Sequence, residues 1–193
     1  GTKSTTYRIS GNYRDVKGIA RETGFDRMNL RANLTQKALN DKLTVTANIS
    51  TSAQEGKLGF EEAFRYATIH NPTSPVTDGN ERWDGYQNEV LFDYYNPVAI
   101  IEQNSNDEEE KTLAMNIRGD YELMDGLKVG LFYSRQRGNT VNNQYFDKNS
   151  FWTGENRNGL ARIQNDERAD QLFSAEINYA PDLGGSADVT FLG

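Results

Sequence analysis

A chain of 193 residues with 36% hydrophobic residues, a formal net charge of -7 and a mean hydropathy of -0.79 is polar for a protein that buries a large core. No run of about 18 apolar residues occurs, which excludes a transmembrane helix, and no basic stripe offers itself to phosphates, which argues against nucleic acid as a partner. The absence of cysteine excludes disulfides, thiolate metal sites and cysteine nucleophiles. Two architectures survive: a polar soluble domain, or a β-barrel whose strands alternate between lipid and water and so average out as polar.

The recurring pattern has period two, the signature of strands. Tyr7, Ile9, Gly11 and Tyr13 share one face against Arg8, Ser10, Asn12 and Arg14. Met28, Leu30, Ala32 and Leu34 oppose Arg27, Asn29, Arg31 and Asn33. Leu43, Val45, Ala47 and Ile49 oppose Lys42, Thr44, Thr46 and Asn48. The pattern resumes at Leu113, Met115, Ile117, Gly119 and Tyr121, then at Leu127, Val129, Leu131 and Tyr133, then at Phe173, Ala175, Ile177 and Tyr179. A last strand starts at Ala187, Val189 and Phe191. Tyrosines sit near the ends of these apolar faces, where a barrel carries its interfacial girdle, although tyrosine is also a good strand residue. The chain opens on Gly1-Thr2-Lys3 and closes inside a strand pattern, so both ends read as cuts.

Short turns, Asn40-Asp41, Asp125-Gly126 and Pro181 to Gly185, carry turn chemistry. They alternate with longer connections: Asp15 to Thr23, the stretch 51–110, and the stretch 136–170. Short turns at one end and long loops at the other are the habit of outer-membrane barrels. The 51–110 loop predicts one helix over about 59–70, with Phe60, Ala63, Phe64 and Ala67 on one face and Asn71-Pro72 as its stop. The same loop is rich in rings, too many for plain disorder, and Phe92, flanked by Leu91, Pro97 and Ile100, reads as its core.

Several stretches resemble the SusC/RagA family of TonB-linked outer-membrane transporters. They are Tyr7 to Asp15 followed by Lys17-Gly18-Ile19, then Gly24-Phe25-Asp26-Arg27 leading to Asn29 to Leu34. The turn Ala38 to Leu43 follows, then the helix Ala63 to Ala67 with its exit Asn71-Pro72-Thr73-Ser74-Pro75-Val76, and then Leu91 to Val98. No one piece is specific by itself; the ordered set is. The resemblance implies that residues 1–193 are part of a barrel of about 22 strands, its early strands after a plug domain. It implies a Gram-negative, Bacteroidetes-type outer membrane, a SusD-type surface lipoprotein as partner, and import of oligosaccharides or peptides powered by a TonB complex acting through parts outside these residues. The stretches 51–110 and 136–170 become extracellular loops under this reading.

The fold expected is therefore all-β: antiparallel hairpins of a large barrel, with a short helix in a long outside loop. No enzyme and no cofactor is expected. His70 is the single histidine and lacks the partners that a zinc site or a triad needs. Asn104 to Glu110 offers oxygen ligands in a row but not the spacing of a calcium loop, and reads as a solvated acidic loop; Asp78-Gly79-Asn80 reads as a turn. Trp83, Tyr86, Tyr94, Tyr95 and Trp152 are the candidate contact residues. Flat rings stack on sugars and mark binding surfaces, and substrate contact, partner contact and packing within the loop all stay open. The rival readings are a soluble β-sandwich carbohydrate-binding module, which folds without detergent, and a secreted glycosidase domain, which needs a carboxylate pair that nothing here marks.

Overall fold

The computed structural model describes residues 1–79, 81–180 and 191–192. They form one antiparallel sheet in which every strand pairs with its neighbours in the chain: β1 (Thr5–Lys17), β2 (Gly24–Ala38), β3 (Leu43–Lys57), β4 (Asn104–Met124), β5 (Leu127–Phe146), β6 (Leu160–Tyr179) and the short β7 (Phe191–Leu192). Two short helices, α1 (Glu62–Ile69) and α2 (Pro97–Glu102), lie in the connection between β3 and β4. The segment Pro181 to Gly185 and the start of the last strand at Ala187 and Val189 fall outside the described residues, as does Asn80.

The registers bring the period-two faces into alignment. Tyr7, Leu34, Ala47, Ile117, Tyr133 and Phe173 stand side by side across six strands. One step towards the long connections, Asn33, Asn48, Asn116 and Ser134 stand side by side on the opposite face. Because the period is two, a slip of one residue in any pairing would mix these faces. The apolar face is not covered: Ile9, Met28, Leu30, Ile49, Ile117, Leu131 and Phe173 are all exposed. The buried hydrophobic residues sit instead in and around the connections, where Phe60, Ala63, Tyr66, Ile100 and Phe146 form a small core.

The apolar band slants across the sheet. On β1 it runs between Tyr7 and Tyr13, and on β6 between Phe173 and Tyr179, with a ring at each border. By register, Tyr7 is level with Phe173 and Tyr13 with Glu167. Both borders have therefore moved by six residues on crossing five strand pairings. Six residues at about 3.3 Å each is ~20 Å, and five spacings at about 4.8 Å is ~24 Å. For the band to lie level, the strands must tilt by about 40°, inside the ~35–45° range of membrane barrels. The interval between the bounding polar residues on this face, Thr5 to Asp15 on β1 and Asp26 to Gln36 on β2, matches the ~9–11 residues of a tilted spanning strand.

The strands continue well beyond the band, so the connections are shorter than the sequence pattern predicts. The stretch 136–170 is not one loop: β5 runs to Phe146, β6 starts at Leu160, and only 147–159 connects them. Likewise β3 reaches Lys57 and β4 starts at Asn104, so the first long connection is 58–103 rather than 51–110. The first turn is 18–23, not Asp15 to Thr23. Beyond the band both faces are polar, so hydropathy alternation vanishes while the hydrogen-bonded ladder does not. For the same reason Asn104 to Glu110 is strand and not an acidic loop. Alternation sends Asp107 and Glu109 to one face and Glu108 and Glu110 to the other. These carboxylates cannot converge on one cation, and no metal-holding cluster occurs among the described residues.

Candidate functional site

The connection 58–103 folds on itself and docks on the far ends of β4, β5 and β6. Helix α1 is shorter than the predicted 59–70 and buries a different face. Phe60, Ala63 and Tyr66 point inward, whereas Phe64 is 61% exposed and Ala67 is exposed. Tyr66 takes the buried position because its hydroxyl finds an acceptor, Asp93 Oδ1, at 2.6 Å. Burial, then that hydrogen bond, pushes the Tyr66 phenol up to about 12. The same bond, with the adjacent Arg65 guanidinium, holds the Asp93 carboxyl below its usual range.

Helix α2 is built around Asn96, which is 1% exposed. Its side-chain oxygen caps the helix by accepting from the backbone N–H of Val98 (3.1 Å) and Ala99 (3.4 Å). Pro97 occupies the first helical turn, where no N–H is needed. The Asn96 amide donates to the carbonyls of Val76 (2.8 Å) and Gln87 (2.9 Å), stitching three parts of the connection together. This Asn-Pro start signal stands in the sequence, and the periodicity-based reading missed it because the helix is too short to show a period.

The second connection, 147–159, is knitted to the first. Asn104 donates to the Ile100 carbonyl (2.8 Å) and to Ser150 Oγ (3.1 Å), and its own oxygen accepts from the Asp147 N–H (3.2 Å). Arg82 pairs with Glu155 at 2.5 Å, and Asn149 donates to Asp84 at 2.7 Å. The β1–β2 turn joins through Arg21–Glu102 (2.7 Å) and Glu22–Lys57 (2.9 Å). All three connections at this end form one cap.

The five candidate rings sit in this cap. Trp83 is buried and packs at 5.3 Å from Phe151. Tyr95 packs against Tyr66 and Phe151, and Trp152 against Phe60 and Phe146. Tyr86 donates to Glu102 at 2.7 Å; that bond and burial raise its phenol to about 12. Tyr94 stacks on His70, which sits at the C-terminal end of α1, and its hydroxyl accepts from the Asn71 N–H. Four of the rings are half-buried. Their partners are other side chains of the cap: Phe60, Tyr66, His70, Glu102, Phe146 and Phe151. Phe92 is not part of that core: it is 101% exposed, and Val90 and Leu91 beside it are exposed too. Asp93 and Tyr94 are the residues held against α1, which leaves the three apolar residues before them projecting into solvent.

On the sheet, the face opposite the apolar band is polar and partly self-paired. Asn33, Asn48 and Asn116 form a chain of amide hydrogen bonds, with Asn48 to Asn116 at 2.7 Å. Arg118 pairs with Asp120 (3.0 Å) on its own strand and reaches over Gly130 to Glu176 (2.8 Å) on β6. A Cβ on residue 130 would lie 3.1 Å from the Arg118 guanidinium. Arg8, Arg14, Arg27 and Arg31 share this face on β1 and β2. The arrangement is a polar wall with a capped end.

No protein-family model matches the chain. Over its full length it is 24% identical to a TonB-dependent receptor, P26, of Formosa agariphila, of which it covers 19%. Its whole length also superposes on a chain of the RagAB peptide importer in the "closed-closed" state, with a TM-score of 0.76, 17% identity and 22% of that chain covered. A second structure of the RagAB peptide transporter gives a TM-score of 0.75 at the same identity and coverage. The chain spans about a fifth of the length of these proteins, and no helix among its described residues is long and apolar enough to cross a membrane. In sequence the chain is similar to a TonB-dependent receptor, and in fold it matches a segment of a chain of the RagAB importer.

Proposed function

We propose that the chain is the wall and part of the outer cap of a TonB-dependent outer-membrane transporter that imports oligosaccharides or peptides together with a SusD-type surface lipoprotein. The observation that carries this reading is the slanted apolar band: exposed, bordered by rings, and level only when the strands tilt by about 40°. In that setting the band meets lipid, the arginine- and asparagine-lined face meets the lumen, and the cap formed by 58–103 and 147–159 stands outside the cell. The matched proteins, a receptor and an importer, support transport rather than catalysis, and no covalent step is assigned to any residue.

Trp83, Tyr86, Tyr94, Tyr95 and Trp152 enter the proposal as the frame of the ligand- and partner-facing cap. Rigid rings hold a surface in shape at low entropic cost. The exposed Val90, Leu91 and Phe92 suit contact with the lipoprotein, since a partner removes apolar side chains from water. The soluble β-sandwich module has no comparable support, because the described strands form one layer.

The test uses the full-length protein in its own outer membrane. The proposal expects uptake of labelled oligosaccharide or peptide that stops when the TonB complex is removed, and co-purification of a surface lipoprotein that weakens on Phe92→Asp. Uptake indifferent to TonB would overturn it.

A further inference from the structure

The outer border of the apolar band changes sign across the sheet. The first charged residue beyond the band on the apolar face is Asp15 on β1, Asp26 on β2 and Glu55 on β3, then Lys111 on β4 and Arg135 on β5, and again a carboxylate, Glu167, on β6. Arg137 follows Arg135 on the same face two residues on. Arg135 lies between Met115 and Gln171 in the register, and Arg137 between Leu113 and Ala169. Glu167 stands diagonally across from Arg137 on this face, yet among the described residues neither arginine makes an ion pair or a side-chain hydrogen bond. The Arg135 Nε is shut off from solvent without an acceptor. Lys111 is paired with Glu109 at 3.1 Å. Lys111, Arg137, Leu113 and Ala169, with Glu167 at the far side, line an open groove of about 430 Å³.

Two unpaired guanidiniums side by side on an outward face repel each other unless an anion joins them. What lies outside this face, immediately past the band, is the headgroup layer of the outer leaflet. We propose that Arg135, Arg137 and Lys111 bind the phosphate of a phosphorylated glycolipid of that leaflet, with the acyl chains lying along Leu113, Met115 and Tyr133. Guanidinium forks suit phosphate oxygens, and the groove is apolar on its membrane side and cationic at its rim. The acidic borders on β1–β3 and on β6 leave the lipid one preferred position along this part of the wall. The inference rests on the outer-membrane reading.

The test is native mass spectrometry of the full-length barrel in detergent, titrated with phosphorylated lipid A, with the same lipid dephosphorylated, and with inorganic phosphate. The wild-type protein is expected to hold the phosphorylated lipid selectively. Each cation near an anionic surface is worth about fivefold in affinity, so Arg135→Gln with Arg137→Gln is expected to cost about thirtyfold. Glu55→Gln, on the acidic stretch of the border, is expected to change nothing. Equal binding of the dephosphorylated lipid, full competition by inorganic phosphate, or unchanged affinity in the double variant would each overturn the site. Fractionation of the same cells separates the two layers of the argument. A protein absent from the outer membrane sinks the membrane reading and the site with it. A protein present there whose lipid binding ignores both arginines sinks the site alone.

Discussion

Replacing Asn96 with alanine tests whether the cap is a folded unit in its own right. The substitution removes the N-cap of α2, worth about 1 kcal/mol. It also takes a side-chain donor from the Val76 and Gln87 carbonyls, at about 1 kcal/mol each where water enters to replace it. The sum, about 3 kcal/mol, corresponds to a more than hundredfold rise in local opening. Hydrogen exchange of the full-length protein in detergent reads this at the Val98 and Ala99 amides, which lose the acceptor directly. Exchange in β4 and β5 within the apolar band should not change, since local opening need not pass through the sheet. Asn96→Asp keeps the cap acceptor but not the two donors, and should fall between wild type and alanine. Unchanged exchange in α2, or loss of protection in the sheet to the same degree, would refute the reasoning.

Other predictions follow from single contacts. Gly130→Val places a branched side chain where Arg118 crosses to Glu176; the exposed pair is worth at most ~1 kcal/mol, so the barrel should fold, and a double-mutant cycle of Arg118 and Glu176 should lose its coupling in the Gly130→Val background. Gly154→Ala should disrupt 147–159, because a Cβ there would sit 1.8 Å from the Asp147 carbonyl oxygen; proteolysis confined to this connection would report it. Tyr66 and Tyr86 both have phenols raised from 10.0 to about 12. A raised folded value means that their stabilisation is complete below pH 10 and is lost as pH rises towards 12. Phenolate absorbance should therefore appear late, together with opening of the cap, and Tyr66→Phe should remove part of that step. Leu39 has a left-handed backbone, φ 53, in the β2–β3 turn, so Leu39→Gly should raise stability by about 1 kcal/mol in a urea titration.

The strands within the apolar band were legible because one face is apolar and the other polar, so hydropathy alternates with the pleat. Tyr7, Tyr13, Phe173 and Tyr179 even marked both borders, although the slant that links them needs the register. What could not be read was the strand beyond the band. Arg135 to Phe146 and Leu160 to Gln171 are polar on both faces, and nothing in composition separates such strands from loop. Inside the cap the sequence misassigned Phe64 and Phe92, and passed over Tyr66, for one shared reason. Ring size predicted burial, whereas the outcome turned on polar partners: Tyr66 is inside because Asp93 accepts from it, and the chain that delivers Asp93 leaves Phe92 outside. The role of Asn96 was hidden because two of its four side-chain hydrogen bonds reach Val76 and Gln87, which only the fold brings near.

Fluorescent labels on single cysteines, in the full-length protein in bilayers, test the central claim most directly. The account predicts that labels at Leu30, Ile49, Ile117 and Leu131 are quenched by a lipid-soluble quencher and spared by an aqueous one, and that labels at Asn48, Asn116 and Ser134 show the reverse. It also predicts that the lipid-accessible window shifts by six residues in register between β1 and β6. Equal aqueous quenching on both faces, or a window that stays level with the register, would contradict it.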